Sequence, residues 1–191
     1  MAIIKLAEDD LGNVRKYTTE CGVRNLIDYV IRKSSFTLYN GVQNFMNDTR
    51  CIADQILFLQ KCYGKQMASK MIHMIISFDT DKYEVFVKRE IESIMYFFEN
   101  NLFTGYQRIL CLHTDKPTHW HIHFLVNPVN PETYRIVSYY MPQIRMQMAF
   151  WLDGMYHIAV QGATYYDEKG KIQQGYEYGQ FLYQNKRKVY F

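Results

Sequence analysis

The sequence HTDKPTHWHIHFLVNPVN, residues 113–130, decides the fold because it contains a strand with two chemically different faces. Side chains along a β-strand point alternately to opposite sides of the sheet. His119, His121 and His123 therefore share one face, and the residues between them form an apolar face. We expect the apolar face to pack on helices and the imidazoles to face outward.

The segment before this strand is a second strand pattern, residues 108–113, which ends at a histidine. A short turn containing Lys-Pro joins the two strands. Neighbouring antiparallel strands can be joined by such a short connection. The hairpin returns His113 close to His121 and His123, and Asp115 lies at the start of the turn.

Histidines from two neighbouring strands form a metal-binding pattern. Imidazole is the commonest transition-metal ligand in proteins. His113, His121 and His123 offer three nitrogens to one side of an ion and leave the other side open for substrate, as a catalytic site requires. Asp115 is predicted to orient one of these rings. His119 would be the fourth ligand of a closed zinc site, but three histidines spaced by two extend about 13 Å along a strand, which favours His113 as the third ligand.

Hydrophobic spacing along the rest of the chain predicts an α+β fold. Residues 22–33 carry apolar side chains at i, i+3, i+4, i+7 and i+8, which indicates an amphipathic helix. Two adjacent strands with helices between the others predict a single antiparallel β-sheet with helices packed on it, in a two-layer sandwich. Further helices are predicted at residues 54–62, 87–98 and 142–152, further strands at 2–6, 71–78 and 119–127, and a last strand or hairpin around 156–160 and the turn 167–171.

Composition is compatible with one globular domain. The chain has 191 residues, of which 48% are hydrophobic, and a formal net charge of +3. A mildly basic balance permits an anionic partner, although dedicated non-specific DNA-binding domains are usually more basic. The four cysteines show no paired spacing, and no apolar run approaches the roughly 20 residues of a membrane span. We therefore expect a cytoplasmic protein that does not enter a membrane.

The histidine segment resembles a known family. His121-Ile122-His123 has the form of the motif that names the HUH endonucleases. The longer pattern, HTD followed by HxHxxxN, resembles the relaxases, or mobilisation nucleases, of conjugative plasmids and integrative conjugative elements. In that family an upstream histidine lies eight residues before the motif, which His113 matches, and an asparagine follows it, which Asn127 matches.

Two other segments are similar to the same family. MIHMIISFD, residues 71–79, looks like its central strand motif, and RNLIDYVIRK, residues 24–33, looks like the helix that carries its nucleophilic tyrosine. The resemblance covers roughly residues 1–135 in the family's order. Residues 136–191 carry no motif of the family and are assigned to the same single domain, 1–191.

The resemblance implies that Tyr29 is the nucleophile. At about 100° per residue, Tyr29 lies off the apolar stripe of its helix. It shares the polar side with Asn25, Arg32 and Lys33, which are candidate phosphate contacts. Tyr17, before the helix, and Tyr39, after it, are the alternatives. Ser77, His119 and Asn127 are further candidates for DNA binding.

The resemblance also implies a reaction. Relaxases nick one DNA strand at an origin of transfer, leaving a 5′-phosphotyrosyl link and a free 3′-OH, with Mn²⁺ or Mg²⁺ as cofactor. The expected partner is single-stranded DNA with a flanking duplex or hairpin. Accessory mobilisation proteins and a type IV coupling protein are further expected partners.

Two other functions remain open at the level of sequence. A rolling-circle replication initiator or a single-strand transposase also uses an HUH site, but its tyrosine typically follows the motif, as Tyr165, Tyr166, Tyr176 and Tyr178 do here. The tyrosine helix before the motif favours a relaxase. A metal-binding module that binds DNA without cutting it would instead need a closed zinc site.

Overall fold

One antiparallel sheet forms the centre of the molecule. The computed structural model describes residues 2–7, 15–44, 48–64, 67–138, 141–158, 160, 164–166 and 172–174. The sheet consists of β1 (Ala2–Leu6), β2 (Phe36–Asn40), β3 (Ile72–Asp79), β4 (Arg108–His113) and β5 (His119–Val126). Its order is β1-β3-β5-β4-β2, and every neighbouring pair is antiparallel. The predicted α+β class, one antiparallel sheet with helices packed on it, is confirmed.

Four helices accompany the sheet, and they are α1 (Glu20–Arg32), α2 (Thr49–Tyr63), α3 (Thr80–Asn101) and α4 (Met141–Tyr156). Capping residues define where α1 and α2 begin and where α2 ends. The side chains of Thr19 and Asp48 accept hydrogen bonds from the first-turn amides of α1 and α2. Helix α2 ends at Gly64, whose φ of 70° is the left-handed conformation that glycine adopts without steric cost.

The apolar face of the sheet packs against α3 and α4. Period-two alternation brings the inward side chains of the strands together with one stripe of each helix into a single core. Its largest side chains include Phe78, Phe98 and Phe124, each fully buried. Other members of this core are Ile4, Met74, Ile76, Leu110, Ile122, Ile94, Met95, Met148 and Leu152.

The histidine face of the sheet is covered by α1 and α2, so helices lie on both sides. Val23, Ile27 and Val30 of α1 pack with Cys111 and Leu125 from the strands in a second core. The apolar end of this face packs against the buried side of α1, and the imidazoles lie at the other end.

The expectation that the imidazoles of β5 face outward is therefore wrong for His123. His113 and His123 are only 1% and 4% exposed, whereas His119 and His121 are half-buried.

The C-terminal part contains a small separate sheet. Strands β6 (Thr164–Tyr166) and β7 (Ile172–Gln174) pair antiparallel on either side of the predicted turn, 167–171, which itself lies outside the described residues. The strand predicted at 156–160 is not found among the described residues of that range, because Tyr156 still belongs to α4. Val160 forms an isolated parallel bridge with Ala2 at the edge of the main sheet. Within the described part of the chain, no helix combines the length and the apolar character needed to cross a membrane.

Truncating Phe124 tests the core on the α3 side. Phe124→Ala should lower the free energy of unfolding by about 3–5 kcal/mol, because it leaves a cavity where the ring meets Phe103 and the helices. Phe58 on α2 is 69% exposed, so Phe58→Ala should change it by less than about 0.5 kcal/mol. Urea unfolding of both variants measures the difference. Equal losses would contradict this packing.

Candidate active site

Three histidines lie close together near the end of β4 and the beginning of β5. His113 lies directly opposite His121, and His123 is two residues further along the same face. One ring nitrogen from each of His113, His121 and His123 lies within 4.8 Å of the other two, a group that could hold a metal ion. His119 does not belong to this group, so a closed four-histidine site is not formed by the described residues.

The ring of His113 is held by the backbone of α1. Its Nε2 lies 2.7 Å from the carbonyl oxygen of Val30. A carbonyl can only accept, so Nε2 must carry the proton and Nδ1 is left with a lone pair. Val30 lies in the last turn of α1, where carbonyls lack helical partners and are free to accept such a bond.

The ring of His123 is held from the opposite side. Its Nδ1 lies 2.7 Å from Nε2 of His73, a residue of β3. Its Nε2 is buried and has no hydrogen-bond partner among the described residues, and the same holds for Nδ1 of His121. Buried nitrogens without partners are costly unless something binds them. Their position in the three-histidine group fits a metal ion, which accepts lone pairs from neutral imidazoles.

Electrostatics keep these rings neutral. Burial, followed by the charges of Arg15, His113 and His121, lowers the pKa of His73 to about 4. Burial, followed by the imidazoles of His73, His113 and His121, lowers the pKa of His123 to about 2. Burial also lowers the pKa of His121. Neutral rings at pH 7 are the form that can bind a metal.

Asp115 does not orient a ligand ring by hydrogen bonding. It is exposed in the turn after β4, and no hydrogen bond joins it to a histidine within the described part of the chain. Its negative charge acts on His121, whose pKa it raises against the larger effect of burial. The rings of His113 and His123 instead form hydrogen bonds with the carbonyl of Val30 and the ring of His73.

Tyr29 lies directly beside the histidine group. Its ring centroid is 6.1 Å from that of His113 and 6.3 Å from that of His123, and both contacts are edge-on. The ring is 49% exposed, and Nζ of Lys33 lies 4.6 Å from its centroid. Helix α1 positions it because the buried stripe faces the sheet and leaves Tyr29 at the rim.

The alternative tyrosines are placed less favourably. Tyr17 is only 7% exposed, its hydroxyl is bonded to Nδ1 of His73, and burial raises its pKa. Burial also raises the pKa of Tyr39, whose hydroxyl accepts a hydrogen bond from Asn44. The side chains of Tyr165, Tyr166, Tyr176 and Tyr178 lie outside the described residues.

The predicted DNA contacts around α1 separate into two groups. Asn25 and Tyr29 line an open cleft of about 480 Å³ together with Arg15, Lys16 and residues 17–19. Arg32 instead pairs with Asp28, at 2.8 Å, and faces a neighbouring cleft.

The contacts predicted on the strands also differ from one another. Ser77 lies opposite His121 on β3, on the histidine face, and is 8% exposed. His119 is half-buried at the start of β5. Asn127 is fully buried, and its side chain bonds to Gln60 and Gln107, so the prediction that it contacts DNA is wrong.

Sequence reasoning missed three residues near this site. The sequence analysis gave His73 no role, although strand alternation places it on the same face as Ser77. Arg15 and Lys16 carried no motif, and only the cleft brings them to the same wall as Tyr29.

Three histidines that could hold a metal ion, beside an exposed tyrosine, are groups that a nuclease can use. The family model for the relaxases, MobA/VirD2-like, nuclease domain, matches residues 29–154, which is 126 of the 191 residues. The chain therefore belongs to the relaxase family and is a DNA-nicking nuclease. No curated protein and no solved structure matches it.

The lowered histidine pKa values predict acid sensitivity of the metal-free protein. An unfolded histidine, with a pKa near 6.5, takes up a proton at a pH where folded His73 and His123 remain neutral. Stability should fall as pH falls below about 6.5, because the unfolded chain then binds more protons. For His73 the fall extends to about pH 4 and for His123 towards pH 2.

Urea unfolding in EDTA between pH 7 and pH 4 measures this fall. Carboxylates also contribute, so the decisive comparison is with His123→Asn, which removes one of the neutral rings. This variant should lose less stability over the same pH range than the unmodified chain. An identical or steeper loss would contradict the assignment.

Proposed function

We propose that the protein nicks one strand of DNA at an origin of transfer by a tyrosine transesterification, with Tyr29 as the nucleophile. The carrying observation is that the exposed Tyr29 ring lies 6.1 Å and 6.3 Å from two rings of the three-histidine group. A phosphate bridging that gap would contact the phenol on one side and the metal position on the other.

The metal would be held by His113, His121 and His123. Support comes from the unpartnered nitrogens of His121 and His123 and from the bond that leaves Nδ1 of His113 available. A divalent cation bound there would withdraw charge from a non-bridging oxygen of the scissile phosphate. Imidazoles bind a metal in their neutral form, so such ligands would add no negative charge to offset that of the ion.

In the chemical step the hydroxyl oxygen of Tyr29 attacks phosphorus. The new bond from the phenol oxygen to phosphorus forms as the bond from phosphorus to the 3′ oxygen breaks. The phenol gives up its proton and the departing 3′ oxygen takes one up, so a 5′-phosphotyrosyl link and a free 3′-OH result. One phosphodiester replaces another, and a 3′-OH can later reverse the reaction. Holding phenol and phosphate together supplies much of the rate acceleration.

The DNA strand would enter along the cleft that ends at Tyr29. Its walls carry the cations Arg15 and Lys16 and the amide of Asn25, groups that suit a phosphodiester backbone. Lys33, over the ring of Tyr29, adds positive charge close to the scissile phosphate. A single strand fits this path better than a duplex, because the phosphate must approach half-buried rings. We also propose that the protein binds the duplex or hairpin that flanks this strand, and that it acts together with accessory mobilisation proteins and a type IV coupling protein.

Loss of the nucleophile tests the proposal directly. The protein is incubated with Mn²⁺ and single-stranded oligonucleotides tiled across the DNA flanking its own gene, and an SDS-resistant adduct is sought. Tyr29→Phe should abolish the adduct, because no phenol oxygen remains. Tyr134→Phe is the matched control, since Tyr134 is equally exposed, at 49%, and should leave the adduct unchanged.

Loss of a metal ligand gives a second comparison in the same assay. His121→Ala should abolish the adduct, whereas His157→Asn should not, because His157 is exposed and its φ of 53° suits asparagine. An adduct that persists in Tyr29→Phe would rule out this nucleophile. An unmodified chain that gives no adduct with any tile and binds no Mn²⁺ would overturn the function as a whole.

The ligand set also predicts a preference between ions. Imidazole nitrogens bind Mn²⁺ better than the harder Mg²⁺, which prefers oxygen ligands. Calorimetric titration of the metal-free protein should therefore give tighter binding of Mn²⁺. His121→Ala should weaken the binding of Mn²⁺ because it removes one nitrogen. Equal or tighter binding of Mg²⁺, or no binding of either ion, would contradict the proposed ligand set.

A further inference from the structure

A chain of three buried side chains connects the interior to one metal ligand. The hydroxyl of Tyr17 lies 2.8 Å from Nδ1 of His73, and Nε2 of His73 lies 2.7 Å from Nδ1 of His123. Tyr17 and His73 are each 7% exposed, and His123 is 4% exposed. Neither Tyr17 nor His73 belongs to the three-histidine group, so the metal proposal gives these two side chains no role.

The direction of these hydrogen bonds follows from the metal position. His123 would bind the ion through Nε2, its only nitrogen without a partner, and that atom must then carry a lone pair. A neutral imidazole has one N–H, so the proton of His123 lies on Nδ1 and is donated to Nε2 of His73. The proton of His73 must then lie on Nδ1, from which it is donated to the oxygen of Tyr17.

We propose that His73 is a positioning residue for the metal centre, anchored by Tyr17. It fixes both the orientation and the tautomer of His123, so that Nε2 of His123 is always presented to the ion. The inference rests on the proposed use of His113, His121 and His123 as metal ligands. Partners of this kind, which hold the second nitrogen of a ligating imidazole, typically contribute about 10- to 100-fold to metal affinity.

Tyr17 is suited to be the anchor because its backbone is fixed on both sides. Its amide donates to the hydroxyl of Ser69, and its carbonyl accepts from the amide of Lys70, immediately before β3. Tyr17 and His73 therefore move together with β3. Tyr17, which the sequence offered as an alternative nucleophile, is on this proposal the residue that holds His73 in place.

An imidazole acceptor differs from the carboxylate that more often holds a metal-bound histidine. A carboxylate would place a negative charge behind the ligand and reduce the net charge of the centre. His73 is an acceptor without charge, so it orients the ring of His123 and leaves the ion more strongly attractive to a phosphate oxygen. A neutral acceptor of the right reach should therefore be able to replace it.

Two amide variants of His73 separate acceptor function from simple packing. The glutamine amide ends near the position of imidazole Nε2 and can accept from His123, whereas the asparagine amide ends near Nδ1 and reaches only Tyr17. In calorimetric titration with Mn²⁺, His73→Gln should stay close to the affinity of the unmodified chain. His73→Asn and His73→Leu should bind Mn²⁺ about 10- to 100-fold more weakly.

Tyr17→Phe completes the series. It should weaken Mn²⁺ binding less than His73→Leu does, because the ring of His73 keeps its contact with His123. The proposal is overturned if His73→Leu binds Mn²⁺ as tightly as the unmodified chain. It is also overturned if His73→Gln binds as weakly as His73→Asn while their unfolding midpoints agree, since the ring would then contribute packing alone.

The unmodified protein gives an independent test that needs no variant to fold. Zn²⁺ is a diamagnetic ion that binds imidazole. With Zn²⁺ bound, ¹⁵N NMR of the histidine rings should show His123 protonated on Nδ1 and bound to metal through Nε2, and His73 protonated on Nδ1 with no metal bond. Protonation of His73 on Nε2, or a metal bond to His73, would overturn the proposal.

These measurements also distinguish this inference from the proposed function. Metal titration and ring NMR do not depend on Tyr29, so failure of Tyr29 as nucleophile would leave the role of His73 intact. Conversely, a normal adduct and tight Mn²⁺ binding in His73→Leu would remove the positioning role and leave the nicking reaction in place.

Discussion

The register between β4 and β5 is the constraint on which the site depends. It sets His113 opposite His121 and leaves His123 two residues away on the same face. Because side chains alternate along a strand, a slip of one residue in either strand would move one of these histidines to the apolar core on the other side. The apolar residues between the histidines, such as Ile122 and Phe124, are fully buried and fix the register by their packing. The core and the candidate metal centre are therefore specified by the same alternation.

Covering the histidine face with α1 buries imidazole nitrogens away from water, and hydrogen bonds within the protein offset part of that cost. A buried imidazole nitrogen needs a partner, and the fold supplies one nitrogen of His113 and one of His123 with an acceptor or a neighbouring ring. The remaining nitrogens point towards a common space. Partial exclusion of water lowers the effective dielectric there, so charge on a bound ion would act more strongly on a phosphate than in open solvent.

Much of this arrangement could be predicted from the sequence, and the exceptions have physical reasons. Strands β1 and β4 have the predicted bounds, because each is a short apolar run with clear ends. Strand β2 was missed, since its last residue, Asn40, and the following Gly41 together form an Asn-Gly turn signal. The histidine spacing predicted the three-histidine group. The role of His73 depends on the pairing of β3 with β5, whose residues lie about fifty positions apart, and local spacing carries no information on that pairing. Asn127 and Asp115 were misjudged because burial and hydrogen bonding are properties of the folded chain.

The bond between His113 and the carbonyl of Val30 has a mechanical consequence. Val30 follows Tyr29 on α1, so one short stretch of helix carries the phenol and also holds a ring of the three-histidine group. When α1 shifts by a fraction of an ångström, as surface helices do in thermal motion, both groups are displaced in the same direction. Because the phenol and the His113 ring move together, the distance between them changes little. The distance between the phenol and the histidine ring can thus stay nearly constant while the helix that carries the phenol fluctuates.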